Sequence, residues 1–115
     1  MNELVIYKGC TNPIFVQLLN EDGTVREYDS SDTVIFALSP DRKKANVIIN
    51  KFMNYDSDEG MYYLMITPEM TENLIGDERY YYDIKCVTND GTFPVQPITP
   101  VWVVPDLSDS EVQND

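Results

Sequence analysis

The sequence has no histidine among its 115 residues. That absence excludes the Ser–His and Cys–His nucleophile pairs and removes the commonest ligand of zinc. There are only five glycines, and none forms a phosphate-cradling loop. Two cysteines distant in sequence cannot supply a four-ligand metal site. We therefore predict that the chain is not an enzyme and holds no metal and no cofactor. Because carboxylate pairs form in space, a small glycoside hydrolase remains the least favoured alternative.

Positive charge is also scarce. Eight lysines and arginines face 20 aspartates and glutamates, for a formal net charge of −12. Nucleic acids need a basic surface that neutralises phosphates, and anionic lipids need the same, so we expect neither as a partner. The excess of acidic residues either keeps the protein soluble or forms a surface that faces a basic partner.

Long apolar runs are absent as well. No stretch approaches the roughly 18 residues that cross a membrane. The first residues, MNELVIYKGC, lack the basic region and apolar stretch of a secretory signal, so we expect no signal peptide. In that setting Cys10 and Cys86 are expected to be free thiols rather than a disulfide.

Short apolar runs separated by turn residues fill most of the chain and predict strands. We place these strands at 4–7, 13–19, 24–28, 33–38, 46–53, 61–66, 80–87 and 92–104. The run 13–19 is almost wholly apolar, which predicts a strand covered on both faces or packed centrally. Three prolines in 92–104 predict an edge strand or two segments with a bulge between them. The pattern indicates an all-β sandwich of seven or eight strands over residues 1–105, with an acidic flexible tail at 106–115; a closed barrel is the alternative.

The segment 61–87 is the centre of the predicted fold, because in it one short helical turn joins two strongly patterned strands. Thr67 is the expected cap of that turn and Gly76 its end. Along the second strand, alternation sends Tyr80, Tyr82 and Ile84 to the core and Tyr81 outward. Tyr81 and the 69–77 turn, with Glu69 and Asp77 at its ends, are the predicted partner contacts, since tyrosine is enriched at interfaces.

Two charged loops have residues that could bind ions, but neither has the pattern of a known ion-binding loop. Asp41-Arg42-Lys43-Lys44 could hold a small anion, although a solvated hairpin tip is favoured. The carboxylates of Asp56, Asp58 and Glu59 suggest calcium, yet the spacing is not that of a twelve-residue calcium loop. An acidic turn is the favoured interpretation.

Several stretches together resemble a pattern found in phage and prophage structural proteins. They are Ile66-Thr67-Pro68-Glu69-Met70-Thr71, Leu74, Gly76, Tyr80-Tyr81-Tyr82-Asp83-Ile84 and Asn89-Asp90-Gly91. The chain is similar over most of residues 3–104 to the N-terminal domain of the upper baseplate protein of lactococcal-type siphophages. The resemblance implies an immunoglobulin-like antiparallel sandwich without catalytic residues, which docks onto other tail or baseplate proteins in the virion or the host cytoplasm. A bacterial carbohydrate-binding or adhesion module is the alternative function. The oligomeric state stays open.

Overall fold

A computed structural model gives the structure of the chain and describes residues 4–43 and 46–105. The all-β class predicted from the sequence is confirmed. Within the described residues lie eight strands and one short 3-10 helix: β1 (Val5–Tyr7), β2 (Asn12–Val16), β3 (Thr33–Ser39), β4 (Ile49–Phe52), β5 (Asn54–Asp56), β6 (Met61–Ile66), η1 (Glu69–Thr71), β7 (Glu78–Thr88) and β8 (Gly91–Val104).

The strands form two separate sheets rather than one closed sheet. The larger has the order β1-β8-β7-β3-β4, and the smaller has the order β2-β6-β5. The larger sheet is mixed, because β1 runs parallel to β8 with Tyr7 opposite Val104. The expectation of a wholly antiparallel fold is therefore wrong at this strand. A parallel pair needs a long connection, and the whole chain between β1 and β8 provides it.

Alternation along β3 builds the centre of the core. Val34, Phe36 and Leu38 are at most 1% exposed, so they form the inward face of this strand. Opposite them on β7 lie Cys86, Ile84 and Tyr82. The smaller sheet contributes the buried Ile14, Tyr62, Leu64 and Ile66, so both sheets share one apolar cluster. Burial of such side chains is the main stabilising term of a fold of this size.

The chain changes sheets at Met53. The predicted strand 46–53 is shorter in the structure, and β5 follows it in a stretch where no strand was predicted. Met53 is buried, and its N–H donates to the carbonyl of Val34 at 2.8 Å. That bond holds the end of β4 to the larger sheet while β5 pairs with β6 in the smaller one.

Two predictions about residues 13–28 are wrong. β2 ends at Val16, and Phe15 is 49% exposed, because β2 is an edge strand with one solvent-facing side. Residues 24–28 form no strand; only an isolated bridge joins Val25 to Leu19. The side chain of Arg26 instead bonds the carboxylate of Asp32.

The link from β6 to β7 contains one short helical turn, as predicted, but the turn ends earlier than expected. The N-cap of η1 is Pro68 and its C-cap is Glu72, so Gly76 does not end it. Thr67 precedes the N-cap, and its hydroxyl accepts the Met70 N–H at 3.4 Å. Gly76 is needed for space: a Cβ there would lie 2.7 Å from Pro105 Cα. The left-handed conformation falls on Asp77, with φ 65°, and its N–H donates to the Val103 carbonyl.

Both expectations for the proline-rich strand hold in part. β1 covers only residues 102–104 of β8, so residues 91–100 form an edge. Two register shifts against β7 each place one extra residue on β8. Pro94 and Pro97 lie along this irregular edge, where a missing N–H costs no ladder bond.

The predicted acidic tail, residues 106–115, lies outside the described residues. Over the part of the chain that is described, no helix has the length and apolar character to cross a membrane.

Tyr80 ties the β6–β7 link to the core, and its neighbour provides a control. Its ring is 4% exposed, and its hydroxyl accepts the Ile75 N–H at 2.8 Å. Tyr80→Phe leaves that N–H without its partner, and we expect roughly 1 kcal/mol lower stability in urea denaturation. Tyr81→Phe removes a hydroxyl from the outward-facing neighbour and should leave the midpoint almost unchanged. Equal effects in both variants would contradict this role.

Candidate functional site

Tyr81 points away from the core, as its neighbours Tyr80 and Tyr82 require. It is half-buried rather than open, since it lies opposite Ser39 and Pro100 and covers part of the sheet. The guanidinium carbon of Arg42 lies 5.8 Å from the ring centroid, within cation–π range. Tyr81 therefore contributes both to packing and to the exposed surface.

Glu69 and Asp77 are exposed but lie apart from Tyr81. Glu69 opens η1, whereas Asp77 occupies the turn just before β7. Tyr81 follows Asp77 by four residues, roughly 13 Å along an extended strand. The three predicted contacts thus belong to a helix, a turn and a sheet face. Whether they contact a partner stays a prediction.

The outer side of the five-stranded sheet carries a wider aromatic surface. Because Ile6, Val101 and Val103 are buried, Tyr7 and Trp102 point outward, with exposed fractions of 53% and 41%. Phe52, 68% exposed, lies opposite the outward Ile35 on the far edge. We call the surface formed by Tyr7, Ile35, Phe52, Tyr81 and Trp102 the outer sheet face. It spans five strands, roughly 19 Å across.

Cations flank the outer sheet face although the protein is acidic. Arg79 lies opposite Trp102, and Lys85 lies opposite Ile35. Arg42 stands over Tyr81. Among the strands of this sheet, Asp83, which pairs with Ala37, is an acidic residue on the same side as Tyr81 and Lys85. An apolar face with aromatic and arginine side chains has the composition of a protein interface centre.

The smaller sheet also has an outward apolar side. Phe15 on β2 lies opposite Tyr63 on β6, with ring centroids 6.4 Å apart. Pro13 and Met65 form the next pair on the same side. This surface spans three strands, carries no tryptophan, and serves as the natural comparison for the outer sheet face.

Charge is concentrated at one end of the molecule, which we call the acidic end: the loops 19–32, 56–60 and 88–91. Asn89 donates to Ser31 at 3.4 Å, and the rings of Tyr28 and Tyr55 stack at 4.3 Å, so the three loops meet. They hold nine acidic residues and one basic residue, a formal charge of −8. The other described residues hold six of each sign and balance. The excess charge of the described chain therefore lies at this end.

Several carboxylates there serve the turns themselves. Asp22 accepts from the Thr24 hydroxyl and N–H, and Asp29 accepts from the N–H and hydroxyl of Ser31, which lowers the pKa of both carboxyls. Asp56 accepts from the N–H groups of Asp58 and Glu59. No group of acidic, cysteine or histidine side chains among the described residues could hold a metal ion. The acidic-turn interpretation of 56–59 fits these bonds.

The one cationic side chain of the acidic end, Arg26, is paired with a carboxylate of the same loop. Arg26 binds Asp32 through two bonds, from Nε at 2.8 Å and from Nη2 at 3.1 Å. The hydrogen bond and charge of Asp32 raise the pKa of Arg26. Since the Asp32 side chain is only 2% exposed, breaking the pair would leave a buried carboxylate uncompensated. Arg26 is thus a structural residue.

Both cysteines are free, as predicted: Cys10 is exposed and Cys86 buried. Burial, and secondarily the charge of Asp32, raises the pKa of the Cys86 thiol. A thiol held in its protonated form is a poor nucleophile. Cys86 is therefore suited to packing rather than chemistry.

Sequence reasoning identified Tyr81 but missed Trp102 and Phe52. The prolines at 94, 97 and 100 obscured the alternation of β8, although the Val101-Trp102-Val103 triplet alone would have placed Trp102 outward. Phe52 was assigned to a strand without a face; it is the last residue of β4, and the chain changes sheets at the next residue.

Comparison with known proteins adds no identification: no protein-family model and no curated protein matches this sequence.

Tyr62 provides a test of the packing beneath the acidic end. Its ring is 5% exposed and its hydroxyl has no partner among the described residues; burial raises its pKa to about 12. The folded protein then keeps a proton that the unfolded chain loses above pH 10, so stability falls as pH rises from about 10 to about 12. We expect Tyr62→Phe to be at least as stable at pH 7 and to lose less stability over that alkaline window. Urea denaturation at both pH values measures this, with Tyr63→Phe as control. A large loss at pH 7 would show instead that the hydroxyl has a stabilising partner.

Proposed function

We propose that this chain is a non-catalytic assembly module with an immunoglobulin-like fold, which binds another structural protein through its outer sheet face. We place that role in the tail or baseplate of a phage or prophage. The observation that carries the docking role is the outer sheet face itself, with Trp102, Phe52 and Tyr7 exposed around the half-buried Tyr81. The resemblance of the 66–91 region supports the phage setting.

Strand order supports the immunoglobulin-like part of the proposal. In that fold, strands G, F and C form one sheet, to which C′ is added in variable-type domains, and strands B, E and D lie in the other. The orders β8-β7-β3-β4 and β2-β6-β5 correspond to G-F-C-C′ and B-E-D. The Tyr80 bond to the Ile75 backbone matches the tyrosine corner that such domains place before strand F. The chain departs from antibody domains in having free cysteines and a tryptophan on the last strand.

Physical chemistry favours a protein as the occupant of the outer sheet face. Exposed tryptophan, tyrosine and phenylalanine together with arginine characterise the centres of protein interfaces. The aromatic groups spread over roughly 19 Å, which is wider than one sugar ring covers. The balanced charge of this part of the molecule sets no barrier to a partner of either sign.

The experiment is co-expression of the chain with the structural proteins encoded beside it, followed by size-exclusion chromatography with light scattering. We expect a stable complex with one of them. Phe52→Asp and Trp102→Ala should each weaken it by about tenfold or more, because a large aromatic side chain that an interface buries contributes over 1 kcal/mol. Phe15→Asp, on the smaller sheet, is the matched control and should bind normally.

Two results would contradict the proposal. One is that none of the neighbouring structural proteins forms a complex; the other is that Phe15→Asp, and not the variants of the outer sheet face, abolishes it. Melting curves of the free variants separate lost binding from lost folding.

A carbohydrate-binding module is the second candidate, because Tyr7 and Trp102 stand on adjacent strands and both present ring surface to solvent. Aromatic rings of this kind can stack on a sugar. A glycan array tests it: saturable binding that Trp102→Ala removes, in a chain without a protein partner, would favour this candidate over the first.

A further inference from the structure

A groove borders the acidic end, between the hairpin that follows β2 and the hairpin that joins β7 to β8, and it shares no residue with the outer sheet face. One wall comes from the segment after β2 and the other from the start of β8. Its volume is about 440 Å³. We call this pocket the hairpin groove. Its apolar lining includes Leu18, Leu19, Phe93, Pro94 and Val95. Leu19 and Phe93 are 58% and 49% exposed, so the walls are open to a ligand.

One side of the groove is the hairpin that follows β2, in which the Arg26 N–H donates to the Leu18 carbonyl and the Asn20 N–H donates to the Thr24 carbonyl. The other side is the edge of β8, where residues 91–100 pair with β7 alone, since β1 reaches only residues 102–104. Among the described residues, no strand pairs with that edge of β8. An extended segment of another chain has room to lie there.

The prolines decide how such a segment is held. Pro94 and Pro97 offer no N–H at the β8 edge, and two register shifts make that edge irregular. A regular added strand would therefore lack its ladder. Without a ladder of backbone hydrogen bonds, the segment would be held mainly by burial of its apolar side chains between Leu19 and Phe93.

The acidic residues at the groove indicate the charge of the segment that would bind there. Glu21 and Asp90 lie at the groove, one on each hairpin, within an end of the molecule whose formal charge is −8. Arg26 also borders the groove but is engaged by Asp32. Charges within about 8 Å still act on a ligand at physiological ionic strength. An anionic segment is repelled, whereas lysine and arginine are attracted.

We propose that the hairpin groove binds an extended segment of a partner protein in which lysine or arginine lies next to large apolar side chains. Apolar side chains enter between the two hairpins while the cations reach the carboxylates at the rim. This site is separate from the outer sheet face, so its success or failure does not depend on the function proposed above.

The test uses three synthetic peptides of equal length, labelled for fluorescence anisotropy: alternating lysine–leucine, alternating lysine–serine and alternating glutamate–leucine. We expect the lysine–leucine peptide to bind best, and binding to weaken as salt is raised. The lysine–serine peptide should bind roughly tenfold more weakly, since it lacks apolar groups. The glutamate–leucine peptide should not bind measurably.

Matched variants locate the site. Leu19→Ser and Phe93→Ser should each weaken lysine–leucine binding by about fivefold or more, while Phe15→Ser, an equally exposed phenylalanine elsewhere, should not. Glu21→Gln with Asp90→Asn should weaken it by about threefold, whereas Glu69→Gln with Asp77→Asn, which removes the same charge at other loops, should not. All the wall positions tested are exposed, so the variants should fold; melting curves check this, and the charge pair serves if a wall variant does not fold.

Two outcomes would overturn the proposal. Equal binding of the lysine–leucine and lysine–serine peptides would indicate attraction to net charge only. Equal loss in the groove variants and their controls would place the binding elsewhere. Retention of peptide binding by Phe52→Asp, which is expected here, shows that the groove and the outer sheet face are independent sites.

Discussion

The alternation of β3 against β7 is the constraint on which the rest of the molecule depends. Phe36 lies fully buried and stacks on Tyr82, with ring centroids 5.7 Å apart. A slip of one residue would turn Phe36 to solvent and Ile35 to the core, so a buried face holds the register firmly. The same register turns Tyr81 outward and sets Lys85 opposite Ile35. Core and outer sheet face are thus two sides of one pairing, and a change that disturbs the first disturbs the second.

The distribution of charge gives the molecule two unlike regions. The carboxylates of the acidic end come from three loops. In two of these loops, carboxylates accept hydrogen bonds within the turn itself. The charge therefore has a structural origin as well as an electrostatic effect. The rest of the described chain is balanced in charge and presents aromatic rings on one side of the five-stranded sheet. A module built this way can be held by an apolar contact on its face while its acidic end remains free for a basic segment. Both roles are consistent with the proposed assembly function.

Where side chains alternate regularly, sequence predicted the fold well: β3, β6 and β7 lie close to their predicted bounds, and the outward Tyr81 was placed correctly. β5 was missed because Asn54-Tyr55-Asp56 has no apolar alternation and is a strand only through its pairing with β6. Residues 24–28 looked like a strand, but the bonds of Arg26 to Asp32 draw them into a loop. The steric need for Gly76 arises from Pro105, a contact between residues far apart in sequence. The acidic end could not be seen at all, since its carboxylates come from loops that only the folded chain brings together.

Hydroxyl-radical footprinting of the chain, free and within the proposed complex, tests the central claim most directly, because it reports side-chain exposure residue by residue. The account predicts that the oxidation of Trp102, Phe52 and Tyr7 falls in the complex, while that of Phe15 and Met65 on the smaller sheet stays unchanged. Protection of Phe15 and Met65 with Trp102 and Phe52 still reactive would contradict it, and would place the docking surface on the other sheet.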